Sequence, residues 1–275
     1  MNTLPAIRHG FLERPGCSIY YEATGSGPAV VFAHGLGSNH MTWWQQVPHF
    51  CDRYTCVTFA HRGYAPGTEI SGGPDPKDYP GDLAALIEHL QLSDVRLVGQ
   101  SMGGWCTLEY VLAHPHKVRA LVLTSTCGTI DRASVPLKEP QRLSEWTTKA
   151  AAARADMQRA GIAPPAGARM AKEQPALHFL YQEIANASTG VDREKLRKRI
   201  AAIAKRPAEV IRGVSVPTLF INGGEDTTYP WFLSEALASM MPNANFELVR
   251  EAGHSVYFQR AAIFNQLVDV FFGSV

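Results

Sequence analysis

The chain has 275 residues, 45% of them hydrophobic and 19% charged, with a formal net charge of +1 at pH 7. That length suits one large domain, or a domain carrying an insertion, with a sizeable core. The near-neutral charge gives no footing for nucleic acid or an anionic membrane as partner, and no apolar run is long enough to span a bilayer.

The opening MNTLPAIRHGFLERPG lacks the continuous apolar stretch of a signal peptide. Alternation over Ser18–Glu22 predicts an antiparallel edge strand. Short apolar runs rich in β-branched residues follow at Pro28–Ala33, Thr55–Ala60, Val95–Gln100, Arg119–Ser125, Pro217–Asn222 and Phe246–Arg250. Helical patterns lie between them at Asp82–Leu90, Met102–Ala113 and Trp231–Met240. Buried strands alternating with amphipathic helices predict an α/β fold, a mainly parallel sheet with helices on both faces.

One region breaks this rhythm. From about Asp131 to Pro207 the patterns are helical, with no convincing strand. Residues 143–161 are alanine-rich and stop at Gly161, and residues 191–207 carry Leu196, Ile200 and Ile203 on one face and basic residues on the other. A single crossover needs far fewer residues. The stretch therefore reads as a helical cap (131–207) inserted after the sixth core strand, with 1–130 and 208–275 as the core. The basic run Arg193–Arg206 is expected to be the solvated face of a cap helix. Five scattered cysteines (Cys17, Cys51, Cys56, Cys106, Cys127) include no metal-type or C-x-x-C pair. Reduced thiols in a cytoplasmic protein are the expectation.

The chemistry starts at VRLVGQSMGGWCTLEYVL, Val95 to Leu112, where a strand gives way to a helix through GQSMGG. A plain tight turn explains some glycines here. A nucleophile elbow explains them all: glycines let two backbone segments approach while a strained turn exposes the Ser101 hydroxyl. A serine needs a base, and the base an orienting acid. His254 lies in EAGHSVYF after the last predicted strand, and Asp226 in FINGGEDTTYP after the strand before it. A polar turn capping the next helix is the competing reading of Glu225 and Asp226. In a doubly covered parallel sheet, all three loops open at the carboxyl edge where ligands bind.

On these residues the chain resembles the α/β-hydrolase superfamily over nearly its full length. The order Ser101, Asp226, His254 agrees with the family's order, and VVFAHGLGSN supplies its HG motif at His34 and Gly35. The resemblance implies an oxyanion hole from the backbone N–H groups of Leu36 and Met102, with His34 holding the loop. It departs from a common family pattern, D-x-R-G-x-G-x-S: AHRGYAPG keeps Arg62 and Gly63 but has Ala60, Ala65 and Gly67 at the other positions. That leaves the loop's shape open, and a pocket contact for His61 with it.

The implied function is a serine hydrolase of the carboxylesterase or lactonase type, acting on a small to medium apolar substrate through an acyl-enzyme. Gly35, Trp146 and Val256 are expected to contact substrate, and Trp43, Trp44, Phe179 and Tyr181 are further aromatic candidates. A C–C bond hydrolase with the same triad, and a slow-turnover receptor of the same fold, are the alternatives. No metal or organic cofactor is implied, nor any partner beyond a small-molecule substrate; a monomer or homodimer is expected.

Overall fold

The apolar runs assemble into one eight-stranded sheet in the computed structural model, which describes residues 5–188 and 190–275. The strands are β1 (Arg8–Arg14), β2 (Cys17–Thr24), β3 (Ala29–Ala33), β4 (Thr55–Phe59), β5 (Val95–Gln100), β6 (Val118–Thr124), β7 (Thr218–Gly223) and β8 (Ala244–Val249). Their spatial order is β1-β2-β4-β3-β5-β6-β7-β8. β1 and β2 pair antiparallel, as do β2 and β4, and every other pairing is parallel.

The helices are α1 (Val47–Phe50), α2 (Tyr79–His89), α3 (Met102–Ala113), α4 (Gln141–Arg159), α5 (Ala168–Glu173), α6 (Pro175–Asn186), α7 (Arg193–Ile203), α8 (Trp231–Met240), α9 (Val256–Gln259) and α10 (Ala261–Gly273). Successive strand side chains point to opposite faces, so each central strand feeds two cores. Val31, Leu97, Leu121, Leu123 and Phe220 pack with α2, α3 and α8. Val30, Phe32, Val98, Val122 and Ile221 pack with α1, α9 and α10. Burial on both faces is why these strands read as continuous apolar runs.

Two details differ from expectation. The strand at Ser18–Glu22 is not the edge: it is β2, covered by β1 on its outer side. β1 escapes notice because Leu12 is its one buried side chain, so RHGFLER carries little apolar signal. The helix expected from Asp82 starts at Tyr79, because Pro80 fits the first helical turn, where no N–H is needed.

Between β6 and β7 the chain is helical, α4 to α7. Its two ends meet where Ile130 bridges Arg206 in parallel, the Arg206 N–H donating to the Thr129 carbonyl at 3.1 Å and the Asp131 N–H to the Arg206 carbonyl at 2.8 Å. Met170, Tyr181 and Ile184 from this segment join the second core, and Leu196 joins the first. All five cysteines are free and buried. Among the described residues, no helix is long and apolar enough to cross a membrane.

Candidate active site

The elbow's geometry comes from contact more than from glycine freedom. Ser101 itself takes the unusual backbone, φ 52° and ψ −112°, between β5 and the N-terminus of α3. Its N–H donates to the Thr124 carbonyl of the neighbouring strand at 3.0 Å, which ties the turn to the sheet. None of Gly99, Gly103 and Gly104 has a positive φ. Each instead marks a place without room for a side chain. A Cβ on Gly103 would lie 2.0 Å from the Ala33 carbonyl oxygen, and one on Gly99 would lie 2.6 Å from the Gly104 Cα. Close packing of α3 on β3 and β5 thus pushes the strain onto the serine, which remains half-buried rather than sealed.

Asp226 and His254 meet across neighbouring strand ends. Gly223 makes the approach possible, since a Cβ there would lie 2.1 Å from the Gly253 carbonyl oxygen. The two loops are laced together by the Gly224 N–H on the Val249 carbonyl and the Glu225 N–H on the Ala252 carbonyl, both at 2.9 Å. His254 Nδ1–H donates to Asp226 Oδ2 at 2.8 Å, and both side chains are buried. The other carboxylate oxygen, Oδ1, accepts the N–H groups of Thr228 and Tyr229 at 2.7 and 2.9 Å. A carboxylate with one oxygen anchored by backbone and the other on an imidazole fixes the ring's orientation, and leaves Nε2 as the free base. Ser101 Oγ and His254 Nε2 share no hydrogen bond.

The HG loop follows β3. His61 donates its backbone N–H to His34 Nε2 at 3.1 Å, so the His34 proton sits on Nδ1 and is donated to the Gly35 carbonyl at 2.8 Å. Burial, reinforced by the neighbouring His61, holds His34 well below the usual histidine range. Burial likewise pushes His61 down to about 3. His61 bonds the His34 carbonyl through Nε2 and packs against Phe59 and Tyr79. Both are neutral loop-holding groups. The backbone N–H groups of Leu36 and Met102 donate to no described residue.

The residues expected to contact substrate differ in burial. Gly35 is buried against the Gln100 side chain, 2.0 Å from where its Cβ would be. Val256 is fully buried in the second core, and Trp146 on α4 is half-buried against the first. Trp43 is fully buried against Phe32 and Tyr257, while Trp44 and Phe179 are exposed. Tyr181 is buried, its hydroxyl 3.0 Å from that of Ser255. Arg62, retained from the family pattern, anchors the loop through partners that the sequence did not name: it forks onto Asp82 through Nε and Nη2, and reaches Asp78 through Nη1 at 2.6 Å. Among the described residues, no cluster of three or more His, Cys, Asp or Glu side chains is arranged to hold a metal.

Known proteins agree with this architecture. The chain is 28% identical to a Mycobacterium tuberculosis protein provisionally named non-heme bromoperoxidase BpoC, over 94% of this chain and 98% of that one. It is 26% identical to 3-oxoadipate enol-lactonase 2 of Acinetobacter baylyi, over 88% and 87%. A thermophilic esterase from Thermogutta terrifontis superposes with a TM-score of 0.74 at 21% identity, covering 97% of this chain and 98% of its own. Residues 28–261 match the model of the alpha/beta hydrolase fold, and the chain belongs to that family.

Proposed function

We propose that this protein is a serine hydrolase that cleaves a carboxylic ester or lactone of a small to medium apolar substrate. The observation that carries the reading is the buried His254–Asp226 pair, with a 2.8 Å Nδ1–Oδ2 bond, on the same carboxyl edge as the strained, half-buried Ser101. His254 Nε2 takes the Ser101 hydroxyl proton as Oγ attacks the carbonyl carbon. The oxyanion sits on the Leu36 and Met102 N–H groups, which have no other partner among the described residues. His254 returns the proton to the leaving alkoxide, and water, activated by the same nitrogen, releases the acid from Ser101. Segment 131–207 is read as a cap over this edge, with Trp146 and residues beside Gly35 and Val256 shaping the pocket.

The names of two relatives, an enol-lactonase and an esterase, point to the same bond classes. The third points to bromide with peroxide, which belongs in the same screen. Intact-mass analysis after a fluorophosphonate is the test, run on wild type, Ser101→Ala and His254→Ala. One adduct, on Ser101 and lost in both variants, is the expected result, followed by turnover of esters or lactones. An unlabelled, well-folded wild type would reject the reading.

A further inference from the structure

One buried phenol touches both residues whose N–H groups are proposed to form the oxyanion hole, Leu36 at its carbonyl and Met102 at its sulfur. Tyr64 is fully buried, and its hydroxyl donates to the Leu36 carbonyl at 2.9 Å, with Met102 Sδ 3.8 Å from the same oxygen. The single hydroxyl proton goes to the carbonyl, the nearer and stronger acceptor, so the sulfur contact is mainly packing.

Why this matters follows from peptide planarity. The Leu36 N–H shares a rigid plane with the Gly35 carbonyl. That carbonyl is held twice, by His34 Nδ1–H at 2.8 Å and by the Ser38 N–H at 3.2 Å. The plane on the other side of Leu36 carries the Leu36 carbonyl, and Tyr64 is its holder. Beyond it comes Gly37, whose would-be Cβ has nothing within 4 Å, so the chain there has no steric guide of its own. The first plane aims the N–H; holding the second as well fixes the two soft angles of Leu36, so the plane that carries the N–H has no free hinge at the Leu36 Cα.

Tyr64 is itself well anchored. Its ring packs edge-on against His34, with centroids 4.8 Å apart. Its own N–H donates to the His61 carbonyl at 3.0 Å, and its carbonyl accepts the Gly67 N–H at 2.9 Å. Gly63, with φ +85°, turns the chain between Tyr64 and the Arg62 fork on Asp82. A buried ion pair therefore carries the loop, and the loop carries the phenol.

We propose that Tyr64 is a positioning residue of the hydrolytic site: its hydroxyl orients the Leu36 N–H and registers it against Met102. The inference rests on the hydrolase reading above. Tyr64 is fully buried and acts through Leu36, so its removal should change how well the transition state is held, and not how well the ground state binds.

Tyr64→Phe deletes the hydroxyl and keeps the ring. With p-nitrophenyl butyrate, kcat should fall about tenfold or more, less than the on the order of 10²–10³-fold for losing an oxyanion donor outright. KM should stay within twofold, and the inhibition constant of a trifluoromethyl ketone, which forms an oxyanion on Ser101, should rise in step with the loss of kcat/KM. If kcat and ketone affinity both stay within twofold of wild type, the inference fails while the hydrolase reading stands. If wild type itself neither labels at Ser101 nor turns over the ester, both fall together. Circular dichroism checks the fold. Should Tyr64→Phe not fold, 3-fluorotyrosine at position 64 keeps ring and hydroxyl and alters donor strength alone; an unchanged kcat there also overturns the proposal.

Discussion

Two serines at neighbouring strand ends share a positive φ and little else. Ser101 after β5 has φ 52°, and Ser125 after β6 has φ 53°. Each donates its N–H to the next strand, Ser101 to Thr124 and Ser125 to Ile221. Their surroundings diverge at the following residue. Ser101 opens the 12-residue helix α3 and stays half-buried, whereas Ser125 enters a turn closed by the Gly128 N–H on Thr126 Oγ1 and is 1% exposed. The buried Ser125 hydroxyl has no partner among the described residues. Strain is common to both, so strain alone does not distinguish a nucleophile. In the proposed reading, exposure at the edge where a carboxylate orients His254 does.

The sharpest way to break that contrast is to remove each hydroxyl in turn. Ser101→Ala should lower kcat by about 10⁴-fold or more, as expected when one member of a triad is lost. Ser125→Ala should leave kcat within a few-fold, because its hydroxyl is buried and bonds to no described residue. Ester hydrolysis under saturating substrate measures both, and equal losses would erase the distinction.

A second contrast separates glycines needed for contact from those needed for conformation. Gly103 has an ordinary φ, but a Cβ would strike the Ala33 carbonyl at 2.0 Å and the His34 carbonyl at 2.9 Å. Gly161, with φ +70°, has open space around it. Gly103→Ala should cost about 3 kcal/mol through overpacking against backbone that cannot move. Gly161→Ala should cost about 1 kcal/mol, the strain of a left-handed alanine. Denaturant titration ranks the two. A milder effect at Gly103 would mean that α3 shifts off β3, and it would then lower the rate as well.

How much of this was legible beforehand depends on what each residue packs against. The six strands β3 to β8 were readable, the central ones because burial on both faces leaves continuous apolar runs. β1 was not, because only Leu12 faces a core. The Ser, Asp, His order and the turn glycines were legible because each lies directly beyond a strand. The Tyr64 bond to Leu36 was not: it spans 28 residues and leaves no periodic trace. The departures in AHRGYAPG become intelligible only in three dimensions. Ala60 is fully buried, where an unpaired carboxylate would be costly. A Cβ on Gly67 would lie 2.6 Å from the Ser18 carbonyl oxygen, which leaves no place for a serine side chain. Arg62 and Gly63, the retained positions, are those that anchor the loop.

Ser125 also offers a smaller, opposite test. Ser125→Gly releases a left-handed strain of roughly 1–2 kcal/mol and removes a buried hydroxyl without a partner, against roughly 0.5–1 kcal/mol of extra chain entropy in the unfolded state. The net gain should be below about 1 kcal/mol, seen as a melting temperature raised by a few degrees at most. The same exchange at Ser101 would remove the proposed nucleophile. A lower melting temperature for Ser125→Gly would show that its hydroxyl is satisfied after all.

The weakest effect lies where the helical segment rejoins the core. Glu109 on α3 accepts from Arg206 through both carboxylate oxygens and from the Thr129 hydroxyl. Burial pushes the Glu109 carboxyl up, but the Arg206 and Thr129 hydrogen bonds outweigh it and hold the carboxyl below the usual range. A depressed carboxylate contributes stability above its unfolded pKa and loses it as pH falls through the folded one. Arg206 is 45% exposed, so the pair is worth no more than about 1 kcal/mol. Glu109→Gln should therefore melt slightly below wild type at neutral pH, and the gap should close as both are acidified below the ordinary glutamate range. Because the pair grips the point where Ile130 and Arg206 bridge, proteolysis within 131–207 should quicken in the variant at neutral pH and match wild type in acid, where both carry a neutral side chain at 109. The strand-end serines would be untouched by this change, which separates the holding of the insertion from the exposure of Ser101.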